Sequence, residues 1–158
     1  MTDESDSTPR ARADPAAAAA LQTRDVDVVA LFLDAVDALR PPTPAVVIEH
    51  PERCVVEADG AMMDALLRAL VANAIRFSMD RAEIRVVLGV RPGCSFYVRD
   101  NGIGFTRARA ARLFAAREPG QETGLATVSR IVALHGGRVW AEAEPGWGAT
   151  FFIALPPA

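Results

Sequence analysis

The hydrophobic residues of the chain recur with two different periods, and these periods predict where helices and strands lie. Apolar side chains at intervals of three and four residues predict helices, because such residues share one helical face. The first helix is expected to begin at Asp25 and to end before Pro41 and Pro42. Gly136 and Gly137 are expected to end the last one. The predicted helices, including a short one before residue 115, cover residues 25–39, about 60–77, 108–114 and 125–135.

Other stretches alternate apolar and polar residues, which predicts strands. Arg91-Pro92-Gly93 separates two of them and Pro145-Gly146-Trp147-Gly148 separates another two, so each pair is expected to form an antiparallel hairpin. Together the elements predict an α/β (α+β) two-layer sandwich, a mainly antiparallel mixed sheet with helices on one face. The predicted strands cover residues 46–48, 54–56, 83–90, 95–99, 138–144 and 149–155.

Length and composition indicate one folded domain. The chain has 158 residues, of which 51% are hydrophobic and 23% charged, so it can bury a core. Residues 1–20 are rich in Ser, Thr, Asp, Pro and Ala, which predicts a disordered leader before a domain over residues 21–158. No apolar run reaches membrane-spanning length and no basic signal region is present, which predicts a cytoplasmic protein.

The charged and sulfur-containing residues exclude several kinds of chemistry. The net charge of -3 provides no positive field, so nucleic acid is not an expected partner. All 17 basic residues are Arg, so the chain has neither a P-loop lysine nor a lysine for Schiff-base chemistry. Cys54 and Cys94 stand singly, without the spacing of metal ligands, and are expected to be reduced core residues.

Two polar positions occur where the pattern predicts buried structure. Asp100 follows a predicted strand and begins an Asp-Asn-Gly-Ile-Gly turn, whose glycines would let the backbone approach a ligand closely. Asn73 lies three residues after Leu70 on the buried face of the second helix, where an amide needs hydrogen-bond partners. A tight turn and a hydrogen-bonded core amide are the ordinary explanations. The functional explanation is that both side chains face a ligand.

Several motifs in a fixed order resemble the ATP-binding domain of sensor histidine kinases. The resemblance covers roughly residues 25–157 and implies the GHKL-type fold shared by gyrase, heat-shock chaperone, histidine-kinase and mismatch-repair ATPases. Leu125-Ala126-Thr127-Val128 and Gly137-Arg138-Val139-Trp140-Ala141-Glu142 are most similar to the phytochrome-type subgroup. The matching segments are residues 66–78 (the N box), 100–104 (the G1 box), 123–142 (the G2 box and the segment after it) and 145–156 (the terminal strands).

The resemblance implies a binding site for the adenine base. Asp100 would accept a hydrogen bond from the adenine amino group. Gly102 and Gly104 would let the loop pass beside the nucleotide. Thr150 would lie behind the adenine and contribute a hydroxyl or a bridging water.

The resemblance also implies a site for the phosphates and a metal ion. Asn73 would hold Mg²⁺ through its amide oxygen, and Arg76 would offer positive charge to the phosphates. The backbone amides at Gly124 and Leu125, where a helix begins, would bind phosphate. The implied cofactors are therefore ATP and Mg²⁺.

The chain departs from the family pattern at this phosphate end. Ala69 stands one helical turn before Asn73, where the family carries Asn, His or Glu. The G2 box has Glu122 where the family's backbone approaches phosphate. The ATP lid before Gly124 is several residues shorter, and Arg117 within it could still reach a γ-phosphate. Because phosphoryl transfer depends on positioning and charge neutralisation, we assign no catalytic residue.

The leading hypothesis is an ATP-binding domain that acts in two-component (phosphorelay) signalling with a protein partner, either a chain carrying the phosphoacceptor histidine or a response regulator. We expect no dimerisation hairpin within this sequence. His50 precedes a proline between predicted strands and His135 lies at a helix end, so neither is expected to accept phosphate. We therefore do not expect a self-sufficient histidine kinase. A degenerate, pseudokinase-like module that binds a kinase or response regulator is the first alternative. A serine kinase of the anti-sigma-factor type is the second.

Overall fold

The computed structural model describes residues 20–114 and 124–157, so the predicted leader lies almost wholly outside the described part. Eleven elements follow one another in that part of the chain. They are β1 (Thr23–Asp27), α1 (Val28–Leu39), β2 (Ala45–Glu49), β3 (Val55–Asp59), α2 (Gly60–Phe77), β4 (Glu83–Gly89), β5 (Phe96–Asp100), α3 (Arg107–Leu113), α4 (Gly124–Leu134), β6 (Arg138–Glu144) and β7 (Gly148–Ala154).

The main layer is a five-stranded sheet in the order β2-β4-β5-β7-β6. β2 pairs with β4 in parallel, and the other three pairings are antiparallel. Both predicted hairpins, β4–β5 and β6–β7, are present. The predicted mainly antiparallel mixed sheet is therefore confirmed.

The second layer consists of helices on one face of this sheet. Ile84, Val98 and Ile153 point from the sheet into a fully buried core. Leu66 and Leu70 of α2 meet them there without exposed surface, as the spacing of apolar residues predicts. α1 packs against α2, and α4 packs against both α2 and β6. This confirms the predicted two-layer sandwich.

The opposite face of the sheet is covered by its own aromatic side chains. Trp140 of β6 stacks on Phe152 of β7 with ring centroids 5.2 Å apart, and Tyr97 lies 5.6 Å from Phe152 on the other side. The guanidinium of Arg91 lies 4.1 Å above the Phe152 ring. Phe152 is only 2% exposed in this arrangement.

The first predicted helix begins too early. Residues 23–27 form β1, which pairs antiparallel with β3 in a separate two-stranded sheet. Asp27 ends this strand and caps α1, because its carboxylate accepts a hydrogen bond from the Ala30 N–H at 3.1 Å. Val26, which matched the helical period, is the one buried residue of β1.

Cys94 also differs from expectation, since it is half-buried whereas Cys54 belongs to the core; both are free thiols.

Candidate functional site

Asp100 is a buried carboxylate at the end of a central strand. Its Oδ1 accepts hydrogen bonds from the backbone N–H of Gly102 at 2.8 Å and of Ala149 at 3.2 Å. The residue is 5% exposed, and burial raises its pKa to about 6 although these two hydrogen bonds lower it. Among the described residues, no hydrogen bond ends on Oδ2, and Asp100 lines a cleft. One oxygen is thus fixed by the fold, and the other remains available to a ligand.

The two glycines of the Asp100 loop are required by the packing of the protein itself. A Cβ on Gly102 would collide with the carbonyl oxygen of Phe77, at the end of α2. Gly104 has a φ of +68°, and a Cβ there would collide with the carbonyl oxygen of Glu144. The glycines therefore let the loop pass between α2 and the β6–β7 turn, which places Asp100 beside α2.

Asn73 and Arg76 lie one above the other on the last turns of α2. Asn73 is 5% exposed, and its Oδ1 accepts a hydrogen bond from Nη2 of Arg76 at 3.0 Å. The guanidinium also lies 4.8 Å from the centre of the Phe77 ring. Nδ2 of Asn73 is buried without a hydrogen-bond partner among the described residues, so both donors of this amide nitrogen are unused there.

The beginning of α4 lies against the same helix. The Cβ position of Gly124 is 3.6 Å from Cβ of Ala69, which is one turn before Asn73 on α2. Gly124 is exposed, whereas Leu125 is 1% exposed and belongs to the core. Leu125 can therefore meet a ligand only through its backbone. The beginning of α4 therefore contacts α2 one turn before Asn73.

The cleft has a volume of about 1150 Å³ and extends from Asp100 over β6 and β7 to α3. Phe105 and Phe114 form part of its wall, with ring centroids 5.9 Å and 6.0 Å from that of Phe151. Trp147, which is 81% exposed, lies at its rim. Asn73 and Arg76 are not among the described lining residues, so the cleft marks the Asp100 end of the candidate site.

The structure does not place Thr150 beside Asp100. Thr150 pairs with Arg99, and successive residues of a strand face opposite sides, so its side chain lies on the other face of the sheet from the carboxylate. Thr150 still lines the cleft. Its neighbour Ala149 reaches Asp100 instead, through its backbone N–H.

Neither histidine of the chain lies in the candidate site. His50 is exposed in the connection between β2 and β3, and its Nδ1 is 2.8 Å from the carbonyl oxygen of Pro51. His135 follows α4. Its Nε2 accepts the Asp59 N–H at 3.0 Å, so its Nδ1 is the nitrogen that donates, to the carbonyl oxygen of Ile131 at 2.9 Å. His135 in this arrangement links α4 to the end of β3. Arg117, Glu122 and the shortened lid lie outside the described residues.

Arg81 is a residue of this region that sequence reasoning missed. Its Nε donates to the carbonyl oxygen of Asn101 at 2.7 Å, and its Nη2 donates to those of Gly102 at 3.0 Å and Gly146 at 2.8 Å. An arginine shortly after a helix carries no local signal for such contacts, because its partners are 20, 21 and 65 positions away in sequence.

Comparison with known proteins identifies the family. A model of the histidine kinase-, DNA gyrase B- and HSP90-like ATPases matches residues 58–158. The chain belongs to this family, and the part of the chain that matches contains Asn73, the Asp100 loop and α4.

Individual relatives agree with that assignment. The chain is 34% identical over 110 residues to the methanogenesis regulatory histidine kinase FilI of Methanothrix harundinacea, which covers 64% of this chain and 12% of that protein. It is 32% identical over 120 residues to cyanobacterial phytochrome A of Nostoc sp., which covers 69% and 16%. The chain thus spans less than a fifth of these two relatives. The predicted resemblance to sensor histidine kinases, including phytochromes, is confirmed.

Solved structures confirm the fold. Full-length ShkA, solved in complex with AMPPNP, has a TM-score of 0.68 and 26% identity over 87% of this chain and 32% of that one. The mycobacterial sensor histidine kinase MprB has a TM-score of 0.68 and 22% identity over 85% and 97%. The described elements therefore form an ATP-binding domain of the histidine-kinase type. Of the helices in the described ranges, none is long and apolar enough to cross a membrane.

Proposed function

We propose that the domain binds ATP through the Asp100 loop and α2 and uses it in two-component signalling, with the phosphoacceptor histidine on a partner chain or another segment. The Asp100 carboxylate carries the proposal. Its burial is unfavourable in free energy, the described residues bind it through Oδ1 alone, and it lines a cleft. The adenine amino group offers the donor that Oδ2 lacks among the described residues. The AMPPNP complex of ShkA supports a nucleotide in this fold.

The phosphates would extend from the adenine towards α2 and the beginning of α4. Arg76 carries positive charge, and the unused Nδ2 of Asn73 is a second donor three residues away. Backbone N–H groups at Gly124 and Leu125 begin a helix and are suited to an anion. Donors of this kind fit phosphate oxygens. Gly102 and Gly104 would bring the loop backbone alongside the nucleotide.

The predicted Mg²⁺ would be held by Asn73. An amide oxygen is a suitable ligand for this cation, and no described residue holds the Nδ2 of the same amide. Oδ1 now accepts from the Arg76 guanidinium at 3.0 Å, so the fit requires Arg76 to turn from the amide to a phosphate. No cluster of three His, Cys, Asp or Glu side chains occurs in residues 20–114 and 124–157, so the phosphates would supply other ligands. The bound ion would neutralise phosphate charge.

Calorimetric titration of the purified chain with ATP and ADP, with and without Mg²⁺, tests the proposal. We expect micromolar affinity, or about -8 kcal/mol, for ATP with Mg²⁺. Asp100→Asn should remove this binding while the chain stays folded. An absence of heat with every nucleotide would refute the proposal, and binding that Asp100→Asn leaves intact would place the nucleotide elsewhere.

A catalytically degenerate, pseudokinase-like module is the second candidate. Ala69 lies directly against the start of α4 and offers no polar atom one turn before Asn73, while Arg76 occupies the oxygen expected to bind the metal. Phosphoryl transfer needs charge neutralisation at this end. The test is ATP-dependent phosphorylation of a supplied histidine-containing partner. Transfer would exclude the degenerate module, whereas binding without transfer would favour it.

A further inference from the structure

Arg81 joins three segments that meet beside Asp100. Its guanidinium donates to the carbonyl oxygens of Asn101 and Gly102 in the Asp100 loop and of Gly146 in the β6–β7 turn. Three carbonyl oxygens directed at one point would repel one another without a shared donor. The planar fork of the arginine serves them together, one through Nε and two through Nη2.

The same segments are linked to each other and to α2 by backbone hydrogen bonds. Ile103 donates to the carbonyl oxygen of Phe77 at 3.0 Å, and Gly146 donates to that of Ile103 at 2.6 Å. The Asn101 side chain bonds the beginning of β4, accepting from the Arg85 N–H and donating to the Glu83 carbonyl, each at 2.9 Å. The loop is therefore held on both sides, and the Arg81 guanidinium lies where these sides meet.

The two N–H groups that orient the Asp100 carboxylate lie in or next to the segments that Arg81 holds. Gly102 donates its N–H to Oδ1 of Asp100 and its carbonyl oxygen accepts from Arg81. Ala149 follows three residues after Gly146, whose carbonyl oxygen also accepts from Arg81. Release of the guanidinium would remove one of the restraints on the loop and turn next to both donors, although Arg81 itself does not touch the carboxylate.

We propose that Arg81 is a positioning residue, which orients the Asp100 carboxylate by holding the Asp100 loop against the β6–β7 turn and so sets the preference for adenine. The preference for adenine rests on the proposed nucleotide binding. The positioning of the loop does not, because it follows from contacts within the chain.

The test compares the wild-type chain with Arg81→Gln, Arg81→Lys and a matched control, Arg40→Gln. Arg40 makes one surface ion pair with Asp37 at 3.7 Å, at the far end of α1. The first measurement is amide hydrogen exchange. In Arg81→Gln we expect exchange at least about tenfold faster at the N–H groups that hold the loop and turn, with that of α1 unchanged. Those N–H groups belong to Gly102, Ile103, Gly146 and Ala149.

The second measurement is the ratio of affinities for ATP and inosine triphosphate, which carries a carbonyl oxygen where adenine carries its amino group. We expect Arg81→Gln to lower the affinity for ATP at least about tenfold and the affinity for inosine triphosphate much less, so that the ratio of the two affinities falls towards one. Arg81→Lys, which keeps the charge and fewer hydrogen bonds, should be intermediate, and Arg40→Gln should match the wild type. If Arg81→Gln does not fold, Arg81→Lys serves for both measurements.

The outcomes separate this inference from the proposed function. Unchanged protection of the four N–H groups would overturn the positioning role. An equal loss of affinity for both nucleotides would show general weakening of the fold and would overturn the role in base preference. If the wild-type chain binds neither nucleotide, the proposed function and the base preference both fail, and the exchange data alone decide whether Arg81 positions the loop.

Discussion

Replacing Asp100 by Asn separates the effect of the buried carboxylate on the stability of the fold from its proposed role in binding ATP. Burial raises its pKa from 3.8 to about 6, against the lowering effect of the Gly102 and Ala149 N–H groups. Between these values the folded chain keeps the proton that the unfolded chain has released. The unfolded state then binds fewer protons, so the contribution of this group to stability falls as pH rises from about 4 to about 6. This difference in pKa lowers the free energy of unfolding by about 3 kcal/mol above pH 6.

Asp100→Asn should recover much of that free energy at neutral pH. The amide keeps an Oδ1 that can accept both N–H groups, and it carries no charge at any pH. Its new donor takes the place of Oδ2, which accepts no hydrogen bond from the described residues, on a residue that lines the cleft. We expect the variant to be more stable than the wild type by up to about 3 kcal/mol near pH 7 and nearly equal to it near pH 4.

Urea unfolding followed by tryptophan fluorescence, repeated from about pH 4 to about pH 8, measures this difference. Asp37→Asn is the matched control, because its carboxylate is 79% exposed and pairs with Arg40 only at the surface; its stability should follow the wild type at every pH. A variant of Asp100 that is less stable near pH 7, or whose advantage does not shrink in acid, would refute the reasoning. The same protein should fail to bind ATP, so stability and binding should change in opposite directions.

Three further predictions concern the same site. Gly104→Ala should destabilise the fold by at least about 3 kcal/mol in urea unfolding, whereas Gly93→Ala, with a φ of +92° but nothing within 4 Å, should cost only about 1 kcal/mol; equal losses would contradict the collision with Glu144. Arg76→Gln should lower the affinity for ATP more without Mg²⁺ than with it, since the variant frees the Asn73 oxygen for the cation. Equal losses of affinity in calorimetry would exclude this. ATP affinity should fall below about pH 6 as Asp100 takes up a proton, and a flat profile would argue against a carboxylate contact.

The elements that sequence predicted well are those whose signals are local. α2 spans Gly60–Phe77 as the spacing of apolar residues indicates, and its predicted buried face carries Asn73. Both hairpins formed around their Gly- and Pro-containing turns, and Asp100 ends a strand as expected. Period and turn chemistry act within a few residues, so a single sequence contains them.

The missed features depend on residues far apart in the chain. β1 has five residues with only Val26 buried, and its partner β3 lies about 30 residues later, so its alternation was too weak to distinguish it from a helix beginning. The parallel pairing of β2 with β4 requires α2 to pass over the sheet. The register that puts the Ala149 N–H beside Asp100, and Thr150 on the other face, is set by the pairing of β5 with β7.

The residues of this site differ in how strongly they indicate a bound ligand. Gly102 and Gly104 resemble a nucleotide-binding motif, yet the carbonyl oxygens of Phe77 and Glu144 already require their lack of a side chain. The Asp100 carboxylate differs, because its backbone hydrogen bonds use one oxygen and an asparagine could accept both of them. Its negative charge makes no contact among the described residues that the neutral amide could not make, and it lowers stability above pH 6. A charge that the fold itself does not need, on a residue that lines a cleft, supports the proposed contact with the adenine amino group.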